Sequence, residues 1–232
     1  MKPTRRKPKS HAVSRASHAK LGAGIAQQHK RAAKTLVKAR LKFGVAFLGS
    51  ARTKPGQLYY DKNIEAAAAV AALGYPIIHG GGPGQMEASA KGAKQAGGKS
   101  VGLCLHLGRK ETVSVTHDVS IWFDDFSPRI DTFRHLSKVA MVFFPGGIGS
   151  LHEATSAIDH IMQKKAPVRP IIFFEPDADN PFWHGFFQWL NDTVIKNGLL
   201  KAEEIHFVKI ARSVDELVGF IQESEKACRK SK

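Results

Sequence analysis

Residues 140–153 read AMVFFPGGIGSLHE: an apolar run, a glycine turn, and the opening of a segment whose apolar positions recur at helical spacing as far as Gln163. A short run that is apolar at every position fits a strand covered on both faces, and such strands belong to parallel sheets sandwiched between helices. Feeding that strand into a helix through glycine sets unpaired backbone N–H groups at the carboxyl end of the sheet.

The same texture extends in both directions without a fixed period. GVAFLGSA (44–51), YPIIHGGG (75–82), SVGLCLHL (100–107), VSIWFDDF (119–126) and RPIIFFEP (169–176) are short apolar runs that mostly end in Gly, Pro or an acid, and HFVKI (206–210) supplies a further strand. Helical segments are expected at Asp61–Leu73, Gln85–Ala96, Arg129–Lys138, Ser150–Gln163 and Trp183–Asn197. A closing helix at Val214–Lys226 opens with Ser213 and Glu216 at capping-box spacing. The alternation predicts an α/β fold, a Rossmann-like doubly wound parallel sheet.

Charge divides the 232 residues differently. The chain carries 35 Lys and Arg against 20 Asp and Glu, and 13 of those cations lie in residues 1–43, ahead of the first acid, Asp61. The rest is nearly neutral, with 22 cations against 20 acids. We therefore expect two regions: a basic N-terminal arm (1–43) with an amphipathic helix, and a nucleotide-hydrolase domain (44–232). Residues 1–20 have almost no large apolar side chain and are expected to be flexible. From about 25 to 42, Ile25, Leu36, Val37 and Leu41 should share one side of a helix whose other side is Lys30, Lys34, Lys38 and Lys42. Such an arm is expected to contact nucleic acid without sequence preference, and its removal to leave the domain's activity nearly unchanged. Two cysteines far apart, Cys104 and Cys228, and no apolar run long enough to span a bilayer fit a cytoplasmic protein without membrane contact.

Three strands end in glycine: Gly49-Ser50, Gly80-Gly81-Gly82, and Gly146-Gly147 with Gly149-Ser150. Together they point to a phosphate-bearing small molecule beyond the carboxyl edge of the sheet. No Gly-Lys-Ser/Thr follows any of them and no dinucleotide fingerprint is complete, which argues against ATPase and dehydrogenase chemistry. In the third loop Ser150 is expected to cap the helix, with Glu153 in its first turn.

The stretch PGGIGSLHE (145–153), preceded by PRIDTF (128–133), resembles the LOG family, the cytokinin-activating nucleoside 5′-monophosphate phosphoribohydrolases long labelled lysine decarboxylases, whose hallmark is PGGxGTxxE. The resemblance covers roughly residues 44–222. It implies that Arg129 and Glu153 are catalytic, that the three glycine loops bind substrate, that no cofactor or metal is needed, and that the protein is a homodimer. The chain departs from the family's pattern at Ile130, commonly Lys, at Ser150, Thr in the motif, and at His152, often acidic.

The implied reaction is hydrolysis of a nucleoside 5′-monophosphate to free base and ribose 5-phosphate. As the C1′–N bond lengthens, the ribose gains positive charge that a carboxylate such as Glu153 stabilises while it orients water. Asp124 and Asp125 are the expected ion-pair partners of Arg129, and the Phe and Trp residues of 143–189 are expected in the core and at a subunit contact rather than as a base-stacking platform. The alternative is a non-catalytic protein of the same fold that holds a nucleotide or phosphorylated cofactor. A third class is a nucleic-acid-binding module built on the arm. Lysine decarboxylation is the poorest fit, since no lysine stands where a pyridoxal phosphate Schiff base would need it.

Overall fold

A computed structural model describes residues 15–107 and 117–230. Seven strands, β1 (Val45–Leu48), β2 (Ile77–His79), β3 (Ser100–Leu105), β4 (Val119–Phe123), β5 (Ala140–Phe143), β6 (Ile171–Phe174) and β7 (Val208–Ala211), form one all-parallel sheet in the order β4-β3-β2-β1-β5-β6-β7. This is the expected α/β, Rossmann-like doubly wound sheet. The chain moves outward from β1 to β4, then crosses back to β5 and runs out the other way, so the order reverses between β1 and β5.

Alternate strand residues enter opposite cores. Val45 and Phe47 meet Ala66, Ala67 and Val70 of α2 (Leu58–Ala72), Ala93 of α3 (Gln85–Gln95) and Leu217 of α7 (Val214–Lys230). Ala46 and Leu48 face Phe133 and Leu136 of α4 (Phe126–Leu136) and Ala154 and Ile158 of α5 (Ile148–Met162). β1, β5 and β6 are buried at every position, each large apolar side chain contributing about 1.5–3 kcal/mol through removal from water. Phe143, Phe144, Phe173, Phe174 and Trp183 are core residues as expected, whereas Phe182 and Trp189 are about half exposed. Trp189 ends α6 (His184–Trp189), which continues as a π-helical stretch to Ile195 and leads to a 3-10 turn at Ala202–Ile205.

Several element boundaries move. α4 begins at Phe126, three residues earlier than expected, because Pro128 falls in its first turn, where the missing N–H has no partner to lose. α5 begins at Ile148 after Gly147, so Ser150 lies inside the first turn and does not cap it, and Glu153 falls in the second turn. Ser213 does cap α7, accepting the Glu216 N–H at 3.1 Å, while the Glu216 carboxylate accepts from the Arg212 N–H at 2.7 Å.

The largest departure is the arm. α1 spans Arg15–Ala39, starting about ten residues before the expected helix and within a segment expected to be flexible; residues 1–14 lie outside the described residues. Its inward face is Gln28, His29, Ala32, Thr35 and Leu36, and Ala32 joins the core beside α4. Val37, expected on the apolar side, is 78% exposed. Leu36 and Leu41, expected on that side, pack against the core, but the rest of the face is Gln, His, Ala and Thr, so its docking was only partly legible in the sequence. Lys30, Lys34 and Lys38 face solvent, as their spacing required.

Candidate active site

A cavity of about 900 Å³ opens at the carboxyl edge of the sheet, over the ends of β1, β2, β3 and β5. In open α/β sheets this is where ligands bind, since strand-end loops diverge at the reversal in strand order. Gly49, Ser50, Gly80, Gly81, Gly82, Arg129, Gly147, Gly149, Ser150 and Glu153 all line it. Gly146 does not; it packs against the Ser150 side chain behind the wall.

Arg129 projects from α4 and Glu153 from α5, two helices separated in sequence by β5. The Arg129 Nη1 donates to Glu153 Oε1 at 3.0 Å, and its Nε donates to the Leu103 carbonyl within β3 at 2.7 Å. The guanidinium also lies over the Phe133 ring, 4.9 Å from its centroid. The pair's side chains are only 10% and 14% exposed, well inside the range where a charge needs a partner. Burial raises the Glu153 carboxyl above the ordinary carboxylate range, and the Arg129 charge and hydrogen bond oppose that rise without cancelling it. Asp124 and Asp125 are not partners of Arg129: Asp124 lies 3.5 Å from Arg31 of α1, and Asp125 is the residue that precedes α4.

The loop after β5 turns into α5 so that its first intrahelical bond runs from the Leu151 N–H to the Gly147 carbonyl, 3.1 Å. The N–H groups of Ile148, Gly149 and Ser150 therefore stand ahead of the hydrogen-bond ladder at the positive end of the helix dipole, an arrangement suited to an anion. Ser50 ties two loops together, its N–H donating to the Pro145 carbonyl at 3.0 Å and its carbonyl accepting from the Gln85 N–H at 2.9 Å.

The loop after β2 is held from behind by two histidines. His79 is fully buried; its Nδ1 accepts the Gly81 N–H at 3.2 Å, which leaves the proton on Nε2, 2.8 Å from Ser100 Oγ. His117 Nε2 donates to the Gly81 carbonyl at 3.2 Å, and the two rings lie 4.9 Å apart. Burial, with the neighbouring His117 and Arg129 charges, pushes His79 down to about 3, so it stays neutral and does not face the cavity. Glu87, on the next helix, pairs with Lys91 at 2.7 Å.

Sequence reasoning passed over several cavity residues. Arg52 stands at the rim two residues beyond Ser50, a cation beside a glycine turn that was there to be noticed. Leu105, Leu107, Trp122, Phe126 and Ile130 make the wall away from the glycine loops apolar. They come from β3 and the residues just after it, from β4 and from α4, and no sequence spacing links them.

The sheet order, the two covered faces and the cavity at the reversal define a Rossmann-like α/β protein. Residues 86–221 match the profile of the family described as possible lysine decarboxylase, and the chain belongs to that LOG-like family. The same fold occurs in the molybdenum cofactor binding protein from the phototrophic bacterium Rippkaea orientalis, at 20% identity and a TM-score of 0.57 over 78% of this chain and 96% of that one. It also occurs in the molybdenum cofactor carrier protein from Chlamydomonas reinhardtii, at 20% identity and a TM-score of 0.57 over 80% and 99% of the two chains. No curated protein matches the sequence. Among the described residues no helix is long and apolar enough to cross a membrane.

Proposed function

We propose that the protein hydrolyses the N-glycosidic bond of a nucleoside 5′-monophosphate, releasing the base and ribose 5-phosphate. The observation that carries this reading is the buried Arg129–Glu153 pair, 3.0 Å apart, in the wall of the same cavity as the α5 N-terminus. The 5′-phosphate binds the N–H groups of Ile148 to Ser150, which fixes the ribose above Glu153. The apolar wall around Trp122 and Phe126 takes the base. As the bond to the base lengthens, the carboxylate stabilises the oxocarbenium-like ribose and orients the attacking water. Arg129 holds the carboxylate in place and opposes the rise in its pKa that burial imposes.

A second reading, retention of a phosphorylated cofactor without turnover, is supported by the roomy cavity and by the carriers that share the fold. The two separate on one measurement. Purified protein is incubated with a panel of purine and pyrimidine 5′-monophosphates, and with the matching nucleosides, and free base is followed by chromatography. The hydrolase reading expects base release from at least one monophosphate and far less from its nucleoside. Tight binding with no base release supports the carrier reading, and equal rates on nucleoside and nucleotide contradict the phosphate anchor.

A further inference from the structure

One side of α1 lies on the segment that leads to Arg129. Gln28, only 6% exposed, turns its side-chain carbonyl toward the junction of β4 and α4, where Oε1 accepts the N–H groups of Asp124 at 2.7 Å and Asp125 at 3.2 Å. Asp125 is the cap position of α4, and its own side chain makes no capping bond. Before the junction, Arg31 Nη2 donates to the Trp122 carbonyl at the end of β4, 2.6 Å away. Beyond it, His29 Nε2 lies 3.1 Å from Asp131 Oδ2 on α4. Ala32, 3% exposed, packs in the same cluster as Ile121, Phe123 and Phe133. α1 therefore grips the strand end, the turn and the helix, and Arg129 sits between the last two grips.

We propose that α1 is a positioning element of the site, with Gln28 fixing the N-terminus of α4 and thereby the placement of Arg129 against Glu153. The Arg129 side chain is tied at both ends of its guanidinium, to Leu103 O and to Glu153, so the position of its Cα is set by α4. Removing a buried acceptor that holds two consecutive N–H groups frees the turn, because Asp124 and Asp125 lie at the exposed junction and their backbone is fixed there through Gln28. Movement of the turn carries Arg129 with it, and small misplacements at a reacting centre reduce rate steeply. The proposal rests on the hydrolase reading for its kinetic readout alone.

The test uses the full chain and two replacements of similar size. Gln28→Met keeps the volume and removes the acceptor; Gln28→Glu keeps an acceptor for both N–H groups. In Gln28→Met, hydrogen exchange of amides 124–130 is expected to rise at least tenfold while that of α2 and α7 stays unchanged. With a nucleoside monophosphate shown to be a substrate, kcat should fall about tenfold with KM nearly constant, and Gln28→Glu should restore most of both. Arg31→Ala, an exposed change that leaves the core intact, should raise exchange at 122–126 in the same way. Unchanged exchange at 124–130 in Gln28→Met, or a kcat loss that Gln28→Glu leaves unrepaired, would overturn the proposal. If the wild-type chain hydrolyses no monophosphate, the hydrolase reading fails while the exchange result still decides the role of Gln28.

Discussion

The two glycine loops that flank Arg129 look alike in sequence and differ in what requires the glycine. In the loop after β2, Gly81 sits at φ +78°, both its N–H and its carbonyl are bonded to histidine, and a Cβ there would run into Cys104 Sγ. A Cβ on Gly80 would lie 2.5 Å from Arg129 Nη2. In the loop after β5, a Cβ on Gly147 or Gly149 would meet nothing within 4 Å. Glycine is needed in the first loop so that the protein can pack on itself, whereas the second loop keeps open space over the N–H groups of α5. The first loop is fixed by the packing behind it, although Gly80, Gly81 and Gly82 also line the cavity; in the second, Gly146 packs on Ser150 while Gly147 and Gly149 border open space. Arg129 joins them, lying against Gly80 on one side and Glu153 on the other.

This contrast is sharpest in stability. Gly81→Ala must place a side chain at positive φ against Cys104 and break the histidine clamp, so we expect a loss of about 3 kcal/mol in urea unfolding, the sum of backbone strain and overpacking. A loss under about 0.5 kcal/mol would erase the distinction between the loops. Glu153→Gln keeps an acceptor for Arg129 but leaves its buried charge uncompensated, so the urea midpoint should fall modestly, while turnover of a monophosphate falls on the order of 10²-fold, as groups acting on transition-state charge do. Near-normal turnover would make Glu153 only the structural partner of Arg129.

The pH dependence should separate structure from chemistry at that same residue. Because burial raises the folded-state pKa of Glu153, the folded protein binds more protons than the unfolded chain between the ordinary carboxylate pKa and the raised one. Stability therefore falls as pH rises through that window, while kcat/KM rises as the carboxylate ionises. Opposed slopes in the urea midpoint and in kcat/KM, both abolished in Glu153→Gln, are the expected result. The smallest effect belongs to Gly149→Ala. The methyl group has open space and favours the helix, so stability should stay level or rise by about 0.5–1 kcal/mol, while KM for the monophosphate rises a few-fold as the anion's approach narrows. A stability loss like that of Gly81→Ala would mean that both loops are fixed by packing.

How much was legible follows from the range of each interaction. The five inner strands could be read because burial on both faces writes a continuous apolar run into local sequence, the half-buried edge strands β4 and β7 from shorter runs beside them, and Arg129 and Glu153 because a short motif carries each. Boundaries such as the start of α5 at Ile148 were not, since Ser150 has the chemistry of a cap wherever it stands in the first turn. His117 is 36 residues from the Gly81 carbonyl that it holds, and nothing in that spacing announces the contact.

The sequence by itself determined the class of fold, the basic outer face of α1 and the two groups that meet in the cavity, because each depends on periodicity or on a local motif. Tertiary structure alone decided that neither Asp124 nor Asp125 partners Arg129, and that α1 packs on β4 and α4. Both outcomes depend on which backbone donors and buried charges are brought together across the sheet. A glutamine that satisfies two N–H groups nearly a hundred residues away reads in sequence as one more polar residue on a basic helix.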